Sequence, residues 1–506
     1  MLDVIIHRLH HLAQLPGERR FLQAVGQVES AQRGRLSALL AAAAQTERGQ
    51  RQGISAHWNY EQMRHRLPVS SYTDYADDVA HQRETGAAIL CSNSPRYEPS
   101  SGSTQARKWV PYPAALLAEF DGAIGPWLAD IGRQHPGTLR GHHYWSLSWL
   151  PDELRNGSMG KSASTDDLQL LPWWKRALLG QVMAVPNDVC RLPTADESIL
   201  ETICRLVLTR DLSLLSIWSP TFALELLRRM SCDRNTVANE LRARGELRTA
   251  EVLASWDGTL TAEFLQQLWP RLSLISAWEN AGAAPFAGQL KELLPHAAFQ
   301  AKGLWATEGV VTIPYRGHFP LAINSHFYEF RNLDNDAVLP AWQLKASMEV
   351  QPLLTTGSGF FRYALDDRLK VDGFLEQCPC LQFLGRLGGV DLVGEKLDNA
   401  VAQLVIDQIN ETGDYCAIAL LGVPSGVRPR YRILAASATG NADELAIRAE
   451  AALRTVHHYA LARDLGQLDP VEAVVRDDIV DYYFQVTGRL GLEGGRKVDP
   501  LATVRE

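Results

Sequence analysis

Two near-copies of one short pattern constrain this fold more than anything else in the sequence. Asp211-Leu-Ser-Leu-Leu-Ser-Ile-Trp218 recurs sixty residues later as Arg271-Leu-Ser-Leu-Ile-Ser-Ala-Trp278. Each is a brief apolar and Ser run closed by Trp, too short for a helix, and each follows a helix-like stretch. Continuous apolar runs alternating with helices are what strands covered on both faces require. The repeat therefore predicts two buried strands of one sheet within an α/β layering over about 110–300. Ligands of open α/β sheets gather at the carboxyl ends of strands. Trp218 and Trp278 are thereby candidate substrate-binding residues, and two packed core tryptophans are the competing reading.

The flanks read differently. Residues 1–66 are dominated by Ala, Leu, Gln and Arg with a single Pro, at position 16, and predict a helical lead-in. Hydroxyl caps in Leu67-Pro-Val-Ser-Ser-Tyr-Thr-Asp-Tyr precede a helix through about Arg83. A Ser, Pro and Gly loop spans Cys91–Thr104. After 300 the pattern turns β-rich, with strands expected at Val310–Pro314, His326–Phe330, Phe360–Tyr363, Leu369–Phe374 and Leu381–Leu384. Gly385–Gly389 holds three glycines in five positions, a flexible joint. Beyond it come a helix (about Lys396–Ile409), strands Tyr415–Val423 and Arg430–Ala436, a long helix (about Ala442–Leu465) and a last helix (about Pro470–Leu490). The expected organisation is a large α/β domain over 1–386 with a β-rich portion, and a small, mobile α+β domain over 387–506.

Composition excludes several classes. With 506 residues, 46% hydrophobic and 21% charged, the chain is neither disordered nor fibrous. Fifty basic against 58 acidic residues, a net charge of −8, give no electrostatic case for nucleic acid. Seven scattered cysteines suit a reducing compartment, and Cys378-Pro-Cys380 lacks the second pair that zinc would need. The longest apolar patches, Leu36–Ala44 and Cys416–Val423, fall short of the ~20 residues a bilayer demands. Met1-Leu-Asp-Val-Ile-Ile-His-Arg8 has no cleavable apolar core. A cytoplasmic protein is expected.

Three motifs carry chemistry. In Ser100-Ser-Gly-Ser-Thr-Gln-Ala-Arg-Lys108, hydroxyls, a Gly and a following Lys are what a phosphate-binding loop uses, although Gly-Lys-Ser/Thr is missing. In Trp305-Ala-Thr-Glu308-Gly309 a carboxylate beside a hydroxyl suits Mg²⁺ near a triphosphate. In Phe361-Arg-Tyr-Ala-Leu-Asp-Asp367 an Asp closing a strand can accept both hydroxyls of a ribose. Arg386, in Phe383-Leu-Gly-Arg386 ahead of Val393-Gly-Glu-Lys396, can bind phosphate in bidentate fashion.

The order of these pieces is that of adenylate-forming ligases. Within them the sequence resembles the bacterial branch of the auxin-responsive Gretchen Hagen family of acyl acid–amido synthetases. The likeness runs from about 67 to 490. It is carried by Ser100–Lys108, Asp211–Phe222, Lys302-Gly-Leu-Trp-Ala-Thr-Glu-Gly309, Phe327-Tyr-Glu-Phe330, Leu381-Gln-Phe-Leu-Gly-Arg386 and Gly394-Glu-Lys-Leu397. The resemblance implies ATP with Mg²⁺, a small carboxylic acid and an amine such as an amino acid as substrates, no nucleic acid or membrane, and a monomer. By motif position Ser100, Ser101, Gly102, Ser103, Thr104 and Lys108 would hold phosphates. Thr307 and Glu308 would sit at the α-phosphate and metal, Trp305 near adenine, Asp367 at the ribose and Arg386 at the hinge. Lys497, in Gly494-Gly-Arg-Lys-Val, would be the catalytic Lys of the C-terminal domain, with a basic tail as the competing reading and Lys396 as the alternative.

The sequence also departs from the family pattern. Gln105 replaces a customary Gly, Leu304 the Tyr that stacks on adenine, and Asp366 the Gly before the ribose Asp. The extra carboxylate at 366 would weaken nucleotide binding unless Arg362 or Arg368 offsets it. Two other functions therefore stand beside the amide ligase: thioester formation with CoA or a carrier protein, and a degenerate homologue that binds nucleotide or a partner.

Overall fold

The computed structural model describes residues 2–92, 96–99, 108–147, 149, 167–280, 283–437, 440–487 and 498–504. The phosphate-loop residues Ser100–Thr104 and the tail residue Lys497 lie outside the described residues. The chain divides into two compact units. The larger is made of Met1–Ser100, Trp109–Asn280 and Phe286–Leu384, and the smaller of Ser101–Lys108, Ala281–Pro285 and Gly385–Glu506.

In the larger unit a helical lead-in (Leu2–Val25, Val28–Ala43, Glu47–Arg51, Tyr60–Arg66) precedes an antiparallel pair, β1 (Arg96–Pro99) and β2 (Trp109–Tyr112). Pro99 lies opposite Trp109 across this pair. A parallel sheet follows: β3 (His142–Trp145), β4 (Leu212–Ser216), β5 (Leu274–Ala277) and β6 (Ala298–Ala301), in that spatial order. The sixty-residue echo appears here as register, because Leu214 pairs with Leu274, Leu215 with Ile275 and Ser216 with Ser276. Every residue of β4 and β5 is buried, which is why both runs are apolar or Ser throughout. The helix Ala114–Gln134 packs its buried Leu116, Phe120 and Trp127 into one core with Leu214 and Leu274.

The chain then makes a short hairpin, β7 (Trp305–Ala306) and β8 (Gly309–Val310). The strand expected over Val310–Pro314 stops at Val310, beyond which Thr312 makes a single bridge to Leu321. A six-stranded sheet completes the unit, from β9 (Phe327–Asn332), β10 (Val338–Pro340), β11 (Glu349–Thr355), β12 (Tyr363–Ala364), β13 (Asp367–Leu375) and β14 (Cys378–Arg386). Its order is β10-β9-β11-β13-β14, with β12 paired to β11. Two motifs meet in its core. Glu329 accepts from Nε and Nη2 of Arg362 at 2.9 and 3.1 Å, and from the Tyr60 hydroxyl at 3.2 Å.

The smaller unit has its own core of Val401, Val405, Leu420, Ile433, Leu445 and their neighbours. A short pair, β15 (Gly389–Val390) and β16 (Leu397–Asp398), accompanies a four-stranded sheet of β17 (Cys416–Val423), β18 (Arg430–Ala436), β19 (Glu472–Val475) and β20 (Leu501–Thr503). Two sequence expectations fail here. The long helix is interrupted between Ala442–Leu453 and His457–Asp464, where Val456 adopts extended backbone and the Thr455 hydroxyl donates to the Ala452 carbonyl at 2.7 Å. The last helix begins at Ile479 rather than near Pro470, because Glu472–Val475 pairs in parallel with β18 instead. Both β19 and β20 gain their conformation from long-range pairing that no local pattern announces.

No helix among the described residues is long and apolar enough to cross a membrane.

Candidate active site

Trp305 faces Val310 and Ala306 faces Gly309 across the β7–β8 hairpin, so Thr307 and Glu308 are the two residues of its turn. Thr307 is half-buried there and Glu308 is buried. Four contacts from three segments of the chain hold the turn. The Tyr112 hydroxyl, at the end of β2, donates to the Thr307 carbonyl at 2.6 Å. The Tyr363 hydroxyl in β12 donates to Glu308 Oε1 at 3.1 Å. The Tyr328 hydroxyl in β9 donates to the Val310 carbonyl at 2.7 Å. The Val310 N–H donates to Nε2 of His326 at 3.0 Å. Burial, then the neighbouring Glu308 carboxylate, push the Tyr363 phenol far above its ordinary range, so it serves as a donor.

His326 is in turn fixed. Its Nε2 accepts, so the proton sits on Nδ1 and is donated to Glu119 Oε2 at 2.6 Å. Both side chains are wholly buried. Glu119 also accepts the Gly357 N–H at 3.0 Å and forms an ion pair with Arg35. Two glycines make this possible. A Cβ on Gly309 would lie 2.5 Å from His326 Nε2, and one on Gly357 would lie 2.6 Å from Glu119 Oε1. Gly309, which closes the Thr-Glu-Gly motif, is therefore required by close approach of the imidazole.

On the other side of the hairpin lies an indole cluster. Trp305 packs against Trp127 and Trp218, each at 5.6 Å between ring centroids, and against Phe120 at 6.4 Å. Trp218 and Trp278 follow β4 and β5 directly and stand 6.0 Å apart, and the Trp278 N–H donates to the Trp218 carbonyl. Both are half-buried. Lys302, just past β6, is 6% exposed. Its Nζ donates to Ser216 Oγ at 2.8 Å and lies 4.5 Å from the Trp218 ring centre and 4.9 Å from that of Trp127. The carboxyl ends of the parallel strands thus carry a buried cation among indoles.

The remaining sequence candidates fall as follows. Lys108 is half-buried and immediately precedes β2. Asp367 opens β13 rather than closing a strand, since β12 ends at Ala364 and the chain turns before resuming. Arg386 ends β14. Arg362 is bound to Glu329 and to the carbonyls of Arg64 and Leu67, and Arg368 to Glu349. Among the described residues no group of three or more His, Cys, Asp or Glu could hold a metal ion.

The N-terminal domain model of the GH3 family matches residues 17–253, and its central domain model matches 319–386. Together they span more than half of the chain. The chain belongs to the GH3 family. No curated protein matches the sequence. Among solved structures, the GH3.15 acyl acid amido synthetase is similar at 17% identity and a TM-score of 0.60, over 92% of this chain and 89% of that one. The AtGH3.15 enzyme in complex with 2,4-DB gives 16% identity and 0.63, over 98% and 94%. A 2-hydroxyisobutyryl-CoA ligase with 2-HIB-AMP and CoA, in its thioesterification state, gives 13% and 0.57, over 94% and 90%. At these identities the likeness is one of fold, the adenylate-forming ligase fold with a large N-terminal and a smaller C-terminal domain.

Six residues of this candidate site were not singled out from sequence: Glu119, His326, Tyr112, Lys302, Tyr328 and Tyr363. The last three stand inside quoted motifs, but the motif gave them no role. Glu119 and His326, 207 residues apart, carry no local signal. Only a wholly buried acid and imidazole placed face to face reveal them.

Proposed function

We propose that this GH3 protein is an ATP-dependent acyl acid–amido synthetase. In the first half-reaction a carboxylate oxygen of a small acid attacks the α-phosphorus of ATP, the bond to the bridging oxygen breaks, and pyrophosphate leaves from an acyl-adenylate. In the second, a neutral amine attacks the acyl carbon, the amide forms, and AMP leaves with the acyl–oxygen electron pair. The observation that carries this reading is the Thr307–Glu308 turn, held by Tyr112, Tyr363, Tyr328 and His326.

Charge builds on the α-phosphate in the first step, so groups fixed in advance do most of the work there. Lys108, following the hydroxyls of Ser100, Ser101, Ser103 and Thr104 and the backbone of Gly102, supplies the cation for the phosphates. Thr307 adds a hydroxyl at the α-phosphate. Tyr363 occupies one Glu308 oxygen and fixes the carboxylate plane. Mg²⁺ keeps several waters and commonly takes only one or two protein carboxylates besides phosphate oxygens, so a lone Glu308 is a sufficient donor for it. When bound, the ion supplies charge neutralisation on the phosphates. Asp367 is assigned to the ribose, Arg386 to the nucleotide at the hinge, and Lys497 to the C-terminal catalytic position. Trp305 stands at the junction between nucleotide and acid, and Trp218 and Trp278 belong to the acid side. The smaller unit is proposed as the mobile lid of a monomeric, cytoplasmic enzyme.

Pyrophosphate–ATP exchange with Mg²⁺ and a panel of acids tests this. Acid-dependent exchange, intercepted by hydroxylamine or an amino acid, is the expected result. Glu308→Ala and Lys108→Ala should each abolish exchange with unchanged circular dichroism, and wild-type rates in both would overturn the site. Because the fold is shared with a CoA ligase, CoA belongs among the acceptors. Turnover with CoA alone would make the protein a thioester-forming ligase.

A further inference from the structure

One cross-strand row of the parallel sheet is unlike the rest. Trp145 pairs with Ser216, Ser216 with Ser276, and Ser276 with Gln300, so the four side chains stand on one face of the sheet at its carboxyl edge. The row below it, His143, Leu214, Leu274 and Ala298, has one polar member, His143, whose Nε2 donates to the Thr138 carbonyl while its Nδ1 is buried without a partner. Ser216 receives Lys302 Nζ, and Gln300 Oε1 accepts the indole N–H of Trp127 at 2.8 Å. The other two are unmatched. Trp145 Nε1 and Ser276 Oγ are buried without a hydrogen-bond partner, in side chains 2% and 0% exposed. Leaving two polar hydrogens unpaired in a core is costly, and native proteins rarely do so without a use for them.

The chemistry of the row selects its ligand. An ammonium and an indole N–H can only donate, and a hydroxyl can turn to donate. Lys302, Trp145 and Ser276 therefore suit a group that only accepts: a compact oxyanion. The rings of Trp127, Trp218 and Trp305 beside it suit a flat apolar body. Position decides which end of the substrate this is. Glu308, at the reacting turn, is tied to Tyr363 of the antiparallel sheet, whereas Lys302 is tied to Ser216 of the parallel sheet. Trp305 stands between them, its ring against Trp127 and Trp218.

We propose that Lys302, Trp145 and Ser276 form a second anion subsite that reads the far end of the acid, so that the preferred substrate is a flat acid carrying a second, acceptor-only anionic group. This rests on the amido-synthetase reading of the neighbouring turn.

The test compares benzoate with isophthalate and terephthalate on the full-length protein, by pyrophosphate exchange and by quenching of intrinsic tryptophan fluorescence. One of the dicarboxylates is expected to exceed benzoate by about tenfold or more in kcat/KM, the size of one charge-assisted hydrogen bond. Lys302→Met should erase that preference. Ser276→Ala and Trp145→Phe, which each remove one donor with little change of shape, should each reduce it several-fold. Ser276→Ala should do so without lowering the melting temperature, a combination that a purely structural hydroxyl would not give. Equal use of benzoate by the wild type, or a preference unchanged in all three variants, overturns the subsite. If no acid supports exchange yet a dicarboxylate quenches saturably and Lys302→Met abolishes the quenching, the ligase reading fails and the subsite stands. No saturable quenching and no exchange overturns the subsite as well.

Discussion

The two sides of the β7–β8 hairpin handle buried polarity in opposite ways. Toward the antiparallel sheet, most buried polar groups find partners, Glu119 with His326, Gly357 N–H and Arg35, and Glu329 with Arg362 and Tyr60, and Arg35 Nε is the nitrogen left over. Toward the parallel sheet, Trp145 Nε1 and Ser276 Oγ are left unmatched beside Lys302. A satisfied network has one arrangement and makes a rigid mount. An unsatisfied row has spare donors and makes a receptor. The hairpin that carries Thr307 and Glu308 joins the two, which explains how one short turn can be both firmly held and next to a place for substrate.

The largest effect should come from breaking the mount. Removing one partner from a buried, hydrogen-bonded ion pair costs about 3–5 kcal/mol, so Glu119→Ala should lose that much unfolding free energy in urea. Glu308→Ala, which frees only Tyr363, should lose about 1 kcal/mol. Equal losses would erase the distinction between a mounting carboxylate and a presented one.

Acid should come next, through buried histidines on the parallel-sheet side. Burial, aided by the charge of Lys175 for His10 and by His7 for His143, lowers both to about 3 from the ordinary 6.5. His10 accepts from Gln14, and His143 donates to the Thr138 carbonyl, so each is held neutral. The folded state then binds fewer protons than the unfolded chain between pH 3 and 6.5. The stability these residues contribute is present above pH 6.5 and is lost as pH falls toward 3, at roughly 1–3 kcal/mol per pH unit for the pair. Denaturation midpoints measured from pH 7 to 4 should fall accordingly. In a His10→Gln, His143→Gln double variant the slope should flatten, and an unchanged slope would assign acid sensitivity elsewhere.

A smaller, sharper test separates holding from folding. Gln at 326 can still offer an acceptor to the Val310 N–H, while Asn keeps the donor toward Glu119 and loses that acceptor. We expect exchange kcat to fall about tenfold or more in His326→Asn and to stay within a few-fold in His326→Gln, since misplacing a reacting group by about 1 Å can cost a hundredfold. Loss of activity that merely follows melting temperature in both would reduce His326 to a structural residue. The smallest effect belongs to the receptor side: Ser276→Ala should leave the unliganded protein equally or more stable, by up to about 1 kcal/mol.

Parts of the site were legible in the sequence because they rest on local chemistry. Thr307 and Glu308 stand out as hydroxyl beside carboxylate, and Gly309 as the residue that ends the motif. Gly309 proves to be there for contact rather than conformation, since an added Cβ would strike His326. Motifs that carried the resemblance or the ribose assignment were partly architectural. Phe327-Tyr-Glu-Phe330 and Phe361-Arg-Tyr supply Glu329 and Arg362, which bind each other in the core, and Tyr328 and Tyr363, which clamp the turn. Position along the chain does not tell these apart, because a strand's side chains serve core and site alternately.

What the sequence determined by itself is the periodic part: helices and strands in their order, and the repeated Leu-Ser-Leu run that had to become paired buried strands. Those follow from where apolar side chains recur along a few residues. The tertiary structure alone decided the pairings: β19 and β20 in the smaller unit, Glu119 with His326, and the alignment of Trp145, Ser216, Ser276 and Gln300 into one row. Each joins residues distant along the chain, and whether a buried polar group is satisfied or left open depends on what arrives from elsewhere.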